Sequence, residues 1–333
     1  MLQYFPTPYP DELWYSVLCR YHIRNGNYNL LMARNRSQCP VQLFFPDSSI
    51  SETISQLPEG LFSVRDIALN HTLLPYFSRM YTQERKQELV NSLYSSTMEN
   101  SNPEWRVIAR SMPKLKYCPE CISEDQGRYG ESYWHREHQI PHMPICRKHG
   151  CRLKEYNRKS RREFADGPIL PEFVADKTET EYFMQPYEKP LSEMLYAYLI
   201  LPLEAGPTNG YSNLFYGLEQ EYQHIKSNRV ITLDTNKLYA DILSFYGDKI
   251  TKSFFGKSMP KYVPMKLRNW EFTTPERYAL LAAMIGQPPE ITFGESQRVS
   301  YEKEPVRVRE LRFPTIRQKA VMMNIAQQRA VNM

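Results

Sequence analysis

Apolar residues return every three or four positions along much of this chain, the spacing that gives a helix one buried face. Leu13, Trp14, Val17, Leu18 and Tyr21 predict a first helix, begun by Pro10-Asp11 and ended by Asn25-Gly26. Residues 27–38 predict a second helix carrying Arg34 and Arg36, and 39–46 form an apolar, proline-bounded run. A polar stretch over 47–60, read as a loop with a short helix, leads to helices over 62–70 and 83–94. Residues 166–190 are acidic and proline-bearing and read as a linker. An apolar helix over 191–203, broken near Pro202, follows, then a turn-rich loop over 204–212 and an amphipathic segment over 214–227. Thr232-Leu-Asp-Thr235 opens a helix with Leu238, Ile242 and Phe245 on one face before Gly247. Thr274-Pro-Glu276 opens another over 277–285, which ends at Gly286 and Pro288.

Short helices joined by brief turns predict a mainly α fold: helix-turn-helix type helical domains with an inserted small zinc-ribbon or zinc-finger module. The expected divisions are an N-terminal helical domain over 1–112, a zinc-binding module with a basic rim over 113–165, and a linker with helices over 166–231. A second helical domain over 232–290 and a basic tail over 291–333 complete the chain. A plain three-helix cap would give the same pattern over 232–290, and that alternative stays open.

Composition narrows the class only a little. The 333 residues are 41% apolar and 24% charged, as in ordinary globular proteins, with a net charge of +5. No basic segment followed by an apolar run opens the chain, and the apolar stretch 194–203 is too short to span a bilayer. A cytoplasmic protein with no membrane partner is the expectation. Six cysteines in a chain of this length do not make a disulfide framework, and Cys19 and Cys39 read as reduced thiols.

The chemistry gathers in one stretch. Cys118-Pro-Glu-Cys121 and Cys146-Arg-Lys-His149 face each other across 24 residues. Zinc takes four such ligands in a tetrahedron, and a two-residue spacer presents both members of a pair from one turn. The expected cofactor is one structural Zn²⁺ on Cys118, Cys121, Cys146 and His149; the alternative is buried free thiols and a surface histidine. Four filled positions leave none for a substrate, and His135-Arg-Glu-His138 lacks the histidine spacing of zinc proteases. Tyr133 and Trp134 are expected to dock the module on the helices. No Walker loop, dinucleotide fingerprint or transposase-like carboxylate cluster stands out, which points to a binding protein and not an enzyme.

Positive charge is densest just after the ligands, at Arg147, Lys148, Arg152, Lys154, Arg158, Lys159, Arg161 and Arg162. Such clusters gain affinity for phosphates by releasing counterions. Nucleic-acid contacts are therefore expected at Arg147, Lys148, Arg152, Arg158, Lys159, Arg161 and Arg162, and from the second helical domain at Lys266 and Arg268. A solvated loop is the competing reading. The extended arm Phe5-Pro-Thr-Pro-Tyr-Pro10 is read first as packing on its own domain, with a partner-docking role as the alternative.

The same residues carry a family likeness. Cys-Pro-Glu-Cys121, then Arg128-Tyr-Gly-Glu-Ser-Tyr-Trp-His-Arg-Glu-His-Gln-Ile-Pro141, then Cys146-Arg-Lys-His-Gly-Cys151, resemble the zinc segment of the TniQ/TnsD family. Phe5-Pro-Thr-Pro-Tyr-Pro-Asp-Glu-Leu13, Tyr15-Ser16 and His71-Thr-Leu-Leu-Pro75 resemble its amino-terminal signatures. The resemblance implies a non-catalytic target-selection protein of a bacterial transposon that recruits the AAA+ regulator TnsC. It implies target DNA, or a CRISPR effector of the Cascade type with its guide RNA, as the other partner, and leaves a homodimer open. No further large DNA-reading domain is visible, which tilts the expectation toward effector docking. A site-specific transcriptional regulator and, behind it, a zinc-dependent nuclease or hydrolase are the alternatives.

Overall fold

In the computed structural model, which describes residues 4–26, 44–46, 48–94, 114–157, 169–176, 179–182, 185–206, 213–225, 231–255 and 275–293, the predicted first helix is the centre of packing. This helix, α1 (Trp14–Asn25), buries nine consecutive residues from Trp14 to His22 and ends at Gly26 with φ 60°. A β-carbon is disfavoured in that left-handed conformation, so glycine stops the helix at little cost. The proline-rich arm before it is packed: Phe5 meets Trp14, Tyr21 and Phe62, and Tyr9 stacks on Tyr129.

Four helices follow: α2 (Ser48–Ile54), α3 (Val64–Asn70), α4 (Leu74–Phe77) and α5 (Gln83–Ser92). Ser63 and Thr82 cap α3 and α5 by accepting from backbone amides three residues on. The helix expected over 27–38 lies outside the described residues. Next come β1 (Lys114–Tyr117), α6 (Pro119–Tyr129) and β2 (Lys154–Asn157). The two strands pair antiparallel from Lys114↔Asn157 to Tyr117↔Lys154, so one short ribbon closes the whole cysteine-bearing segment at its base.

Residues 169–176, expected as linker, are ordered against the core. Leu170 and Pro171 are buried, and α7 (Pro171–Val174) begins there. The apolar pair Ile169-Leu170 supplies the burial that a linker lacks. Helix α8 (Glu188–Ile200) starts three residues before the expected position, because Glu188 is buried and paired rather than solvated. It is followed by α9 (Asn213–Glu221), the ribbon β3 (Gln223–Ile225) with β4 (Ile231–Leu233), α10 (Thr235–Phe255), α11 (Glu276–Met284) and α12 (Pro289–Phe293). Gly247 breaks α10 with φ 77°, where the sequence placed a helix end.

Helix α8 packs on α4, α11 and α12, so helices from three of the expected segments share one core. The fold is mainly α, and the described residues, which run from 4 to 293, form one compact unit. Residues 297–333 lie outside the described residues. Among the described residues no helix is long and apolar enough to cross a membrane.

Candidate metal centre

The local sequence builds a site for soft ligands from two unlike pieces. Cys118 leaves β1 in extended conformation and becomes the N-cap of α6, its Sγ accepting from the Cys121 amide at 3.4 Å. Pro119 sits at the first helical position, where its missing N–H costs nothing. A helix start, and not the simple tight turn expected from the spacing, thus presents the first pair.

The second pair comes from a hairpin knuckle. Ile145 bridges Arg152, the Cys146 amide donates to the Cys151 carbonyl at 2.8 Å, and the Gly150 amide donates to the Cys146 carbonyl at 2.8 Å. Gly150 takes φ 66°, which lets the chain reverse after His149.

The four expected ligands meet. One donor atom from each of Cys118, Cys121, Cys146 and His149 lies within 4.8 Å of all the others. His149 Nδ1 is 3.4 Å from Cys118 Sγ, 3.3 Å from Cys121 Sγ and 3.6 Å from Cys146 Sγ, and Cys121 Sγ is 3.7 Å from Cys146 Sγ. A tetrahedral zinc with ordinary bond lengths has edges of about 3.8 Å between sulfurs and about 3.5 Å from sulfur to nitrogen. The donor set therefore fits a four-coordinate ion with all positions taken. Hydrogen bonding with Cys121 holds the Cys118 thiol well above its ordinary pKa, while hydrogen bonds with Cys118 and Cys121 hold Cys146 well below. Left to itself the cluster tolerates little negative charge, and a cation is what lets several thiolates coexist.

Supporting groups surround the donors. His149 turns its Nε2 to Glu124 at 3.3 Å, the carboxylate contact typical behind a ligating imidazole. His138 is buried with Nε2 4.0 Å from Cys121 Sγ, and its ring lies 4.9 Å from that of His135. Burial works against charge on His135, yet its 2.8 Å bond to Asp125 raises its pKa above the usual value. Glu137, His138 and Cys146 form a second group of close donors, but Arg147 already occupies one Glu137 oxygen at 3.2 Å.

The segment is fastened to the helices as expected of Trp134. Its indole is fully buried, Nε1 donates to the Ile169 carbonyl at 2.7 Å, and its backbone exchanges bonds with Leu13 and Ser16 of the arm and α1. Below it, Arg136 holds Asp11 and the Leu69 carbonyl, and Arg20 holds Glu12 and Glu131 at 2.7 Å each. Glu131 and Glu137 are thus ion-pair partners. Sequence reasoning missed Glu124, and it gave no role to Cys151, which closes the quoted segment and whose Sγ lies 3.3 Å from Cys118 Sγ.

Among the residues expected to contact nucleic acid, the structure divides those it describes. The Arg147 guanidinium lies 3.6 Å over the Tyr196 ring and bonds Glu137 and Glu193. Arg152 grips buried Glu188 through both terminal nitrogens. Both are occupied inside the molecule, because α8 and the 137 turn bring acids that a local charge count overlooks. Lys148 is 58% exposed and pairs with Glu124 on the surface. Arg158, Lys159, Arg161, Arg162, Lys266 and Arg268 lie outside the described residues.

Comparison with known proteins picks out the same region. Residues 3–153 match the sequence model of the family described as TniQ. Over 154 residues the chain is 28% identical to the transposon Tn7 transposition protein TnsD of Escherichia coli. That alignment covers 44% of this chain and 30% of the relative, so the chain spans under a third of that protein's length. The matched residues run from the aromatic arm through α1 to the knuckle, so the arm, the docking tryptophan and all four donors lie inside the shared region. Over residues 3–153, a little under half of its length, the chain is similar to the TniQ/TnsD family.

Proposed function

We propose that this chain is a non-catalytic target-selection adaptor of a bacterial transposon, joining a target to the AAA+ regulator TnsC to direct DNA integration. The observation that carries the reading is the coincidence of the family match with a closed donor set seated in the helical body. A closed set of three cysteines and one histidine offers a substrate no coordination position, so its ion, a structural zinc, contributes folding energy and not chemistry. The target is either a DNA site or a Cascade-type CRISPR effector with its guide RNA, and the helical domains of helix-turn-helix type supply the binding faces. Lys148 and the basic residues Arg158, Lys159, Arg161, Arg162, Lys266 and Arg268 are the cations assigned to phosphates.

Two measurements test this. Tagged full-length chain should retain TnsC in a pull-down without any catalytic cofactor of its own; failure both with and without target DNA removes the adaptor reading. Tight, sequence-selective DNA binding with no ATPase partner would favour a transcriptional regulator instead. Replacing Arg158, Lys159, Arg161 and Arg162 by Gln should flatten the salt dependence of duplex DNA binding, its log–log slope falling by roughly 3–4. An unchanged slope makes that stretch solvated surface.

A further inference from the structure

Five donors crowd a centre that needs four. Cys151 stands outside the set of four, yet it is fully buried and its Sγ touches Cys118 Sγ at 3.3 Å. The backbone fixes it there: the Cys146 amide bonds the Cys151 carbonyl, so the two ends of the knuckle are clamped while 147–149 bulge outward. The four donors themselves are unequal. Cys118, Cys121 and Cys146 are buried, whereas the His149 side chain is 21% exposed and lines a cleft of about 250 Å³ with Lys189 and Glu193. Its outer nitrogen faces Glu124, a half-exposed carboxylate shared with Lys148. The imidazole is the donor that a partner or a solvent fluctuation can reach, and a thiol waits on the buried side.

We propose that Cys151 is a reserve ligand. When His149 swings out, Cys151 gives up its thiol proton to water and takes the fourth position beside Cys118, turning a shell of three sulfurs and one nitrogen into a four-thiolate shell without loss of the ion. One donor nitrogen leaves, one donor sulfur arrives, and no oxidant is needed. The exchange would let a partner remodel the turn that carries Arg147 and Lys148 while the base of the segment keeps its metal. This rests on the reading that the cluster holds zinc.

Cobalt(II) titration of the full chain separates the outcomes, because thiolate-to-cobalt absorption in the near ultraviolet grows with the number of thiolates. Wild type and Cys151→Ser should each bind one equivalent with a three-thiolate spectrum. His149→Ala should keep one equivalent with that absorption raised by about one third, as three thiolates become four. The double variant His149→Ala/Cys151→Ser should bind about 100-fold more weakly or worse, beyond what losing a supporting contact costs. Should His149→Ala absorb no more than wild type, or bind as weakly as the double variant, the reserve role is refuted. Wild type binding neither cobalt nor zinc would refute the metal reading itself, and the inference with it. If His149→Ala does not fold, zinc-loaded wild type and Cys151→Ser can be treated with diethyl pyrocarbonate and zinc release followed with a chelating dye. Release from Cys151→Ser alone supports the exchange; equal release from both overturns it.

Discussion

Arg79 and Lys86 are buried cations that aim at carbonyls. Arg79 donates to the carbonyls of Tyr198, Leu201, Pro202 and Ala205, which gathers the chain end of α8 where helix carbonyls lack partners. Lys86 donates to the Ala205 carbonyl at 2.8 Å, with Gly206 so close that a β-carbon there would meet the ammonium. Burial first, then the Arg79 charge, pushes the Lys86 pKa down to about 7 from 10.5. The unfolded chain binds that proton more tightly than the folded one, so this residue's contribution to stability is full above about pH 10.5 and is lost as pH falls toward 7. Lys86→Met should abolish this slope: urea unfolding at pH 7 and pH 9.5 should show the variant gaining on wild type at the lower pH, with the Ala205 carbonyl still held by Arg79. A constant difference between the two proteins would mean that Lys86 is charged in the folded state. Neither residue was singled out from sequence: Lys86 falls within the helix expected over 83–94, and Arg79 within no expected element. What buries them is a set of carbonyls about 120 positions away.

The elements divide according to how local their cause is. The four donors, the end of α1 at Gly26 and the break at Gly247 were legible because a ligand pair or a capping glycine is written within a few adjacent residues. The ribbon of β1 and β2 was not, since its strands are four residues long and pair across some forty positions. The alternation was present in Lys114-Leu-Lys-Tyr117, whose second and fourth residues are the buried ones, but one such period falls below what a pattern can decide. The segment 169–176 was misread as linker because its anchor, the Ile169 carbonyl, is recognised only once the Trp134 indole is in place. That bond makes Trp134 the pin between the cysteine-bearing segment, α1 and α7. Trp134→Phe keeps most of the apolar surface but loses the N–H, and should cost about 1–3 kcal/mol in urea unfolding by leaving a buried acceptor short of its donor. Trp134→Ala adds a large void and should cost about 3–5 kcal/mol. Equal, small losses in both would show that the indole packs loosely and that the segment is pinned elsewhere.

At the scale of the whole molecule, the cysteine-bearing segment is part of the main core and not an appendage. Leu115, Tyr117, Ile122, Trp134, Ile140 and Met143 all belong to the same buried cluster as α1, α4, α8 and α11, while only the cysteines form a small cluster of their own. A free-standing finger stripped of its ion would unravel and leave its neighbours intact. Here the donors lie between the end of β1 and a helix whose Ile122 is buried in the common core, so loss of an ion held by them would be felt across the body. A ligand bound only by the folded state, at a free concentration 1,000 times its Kd, adds about 4 kcal/mol. For a unit of this size, at about 2.1 cal/mol/K of unfolding entropy per residue, that corresponds to about 6–7 °C in Tm. Chelation of zinc-loaded protein should therefore lower a single thermal transition by that amount or more, and Cys118→Ser should melt near the stripped wild type and be insensitive to added zinc. Acid should mimic the chelator, because thiolates and imidazole must shed protons to bind. Two separated transitions after chelation, the upper one unmoved, would mean that the segment folds on its own and that the shared core does not couple it to the helices.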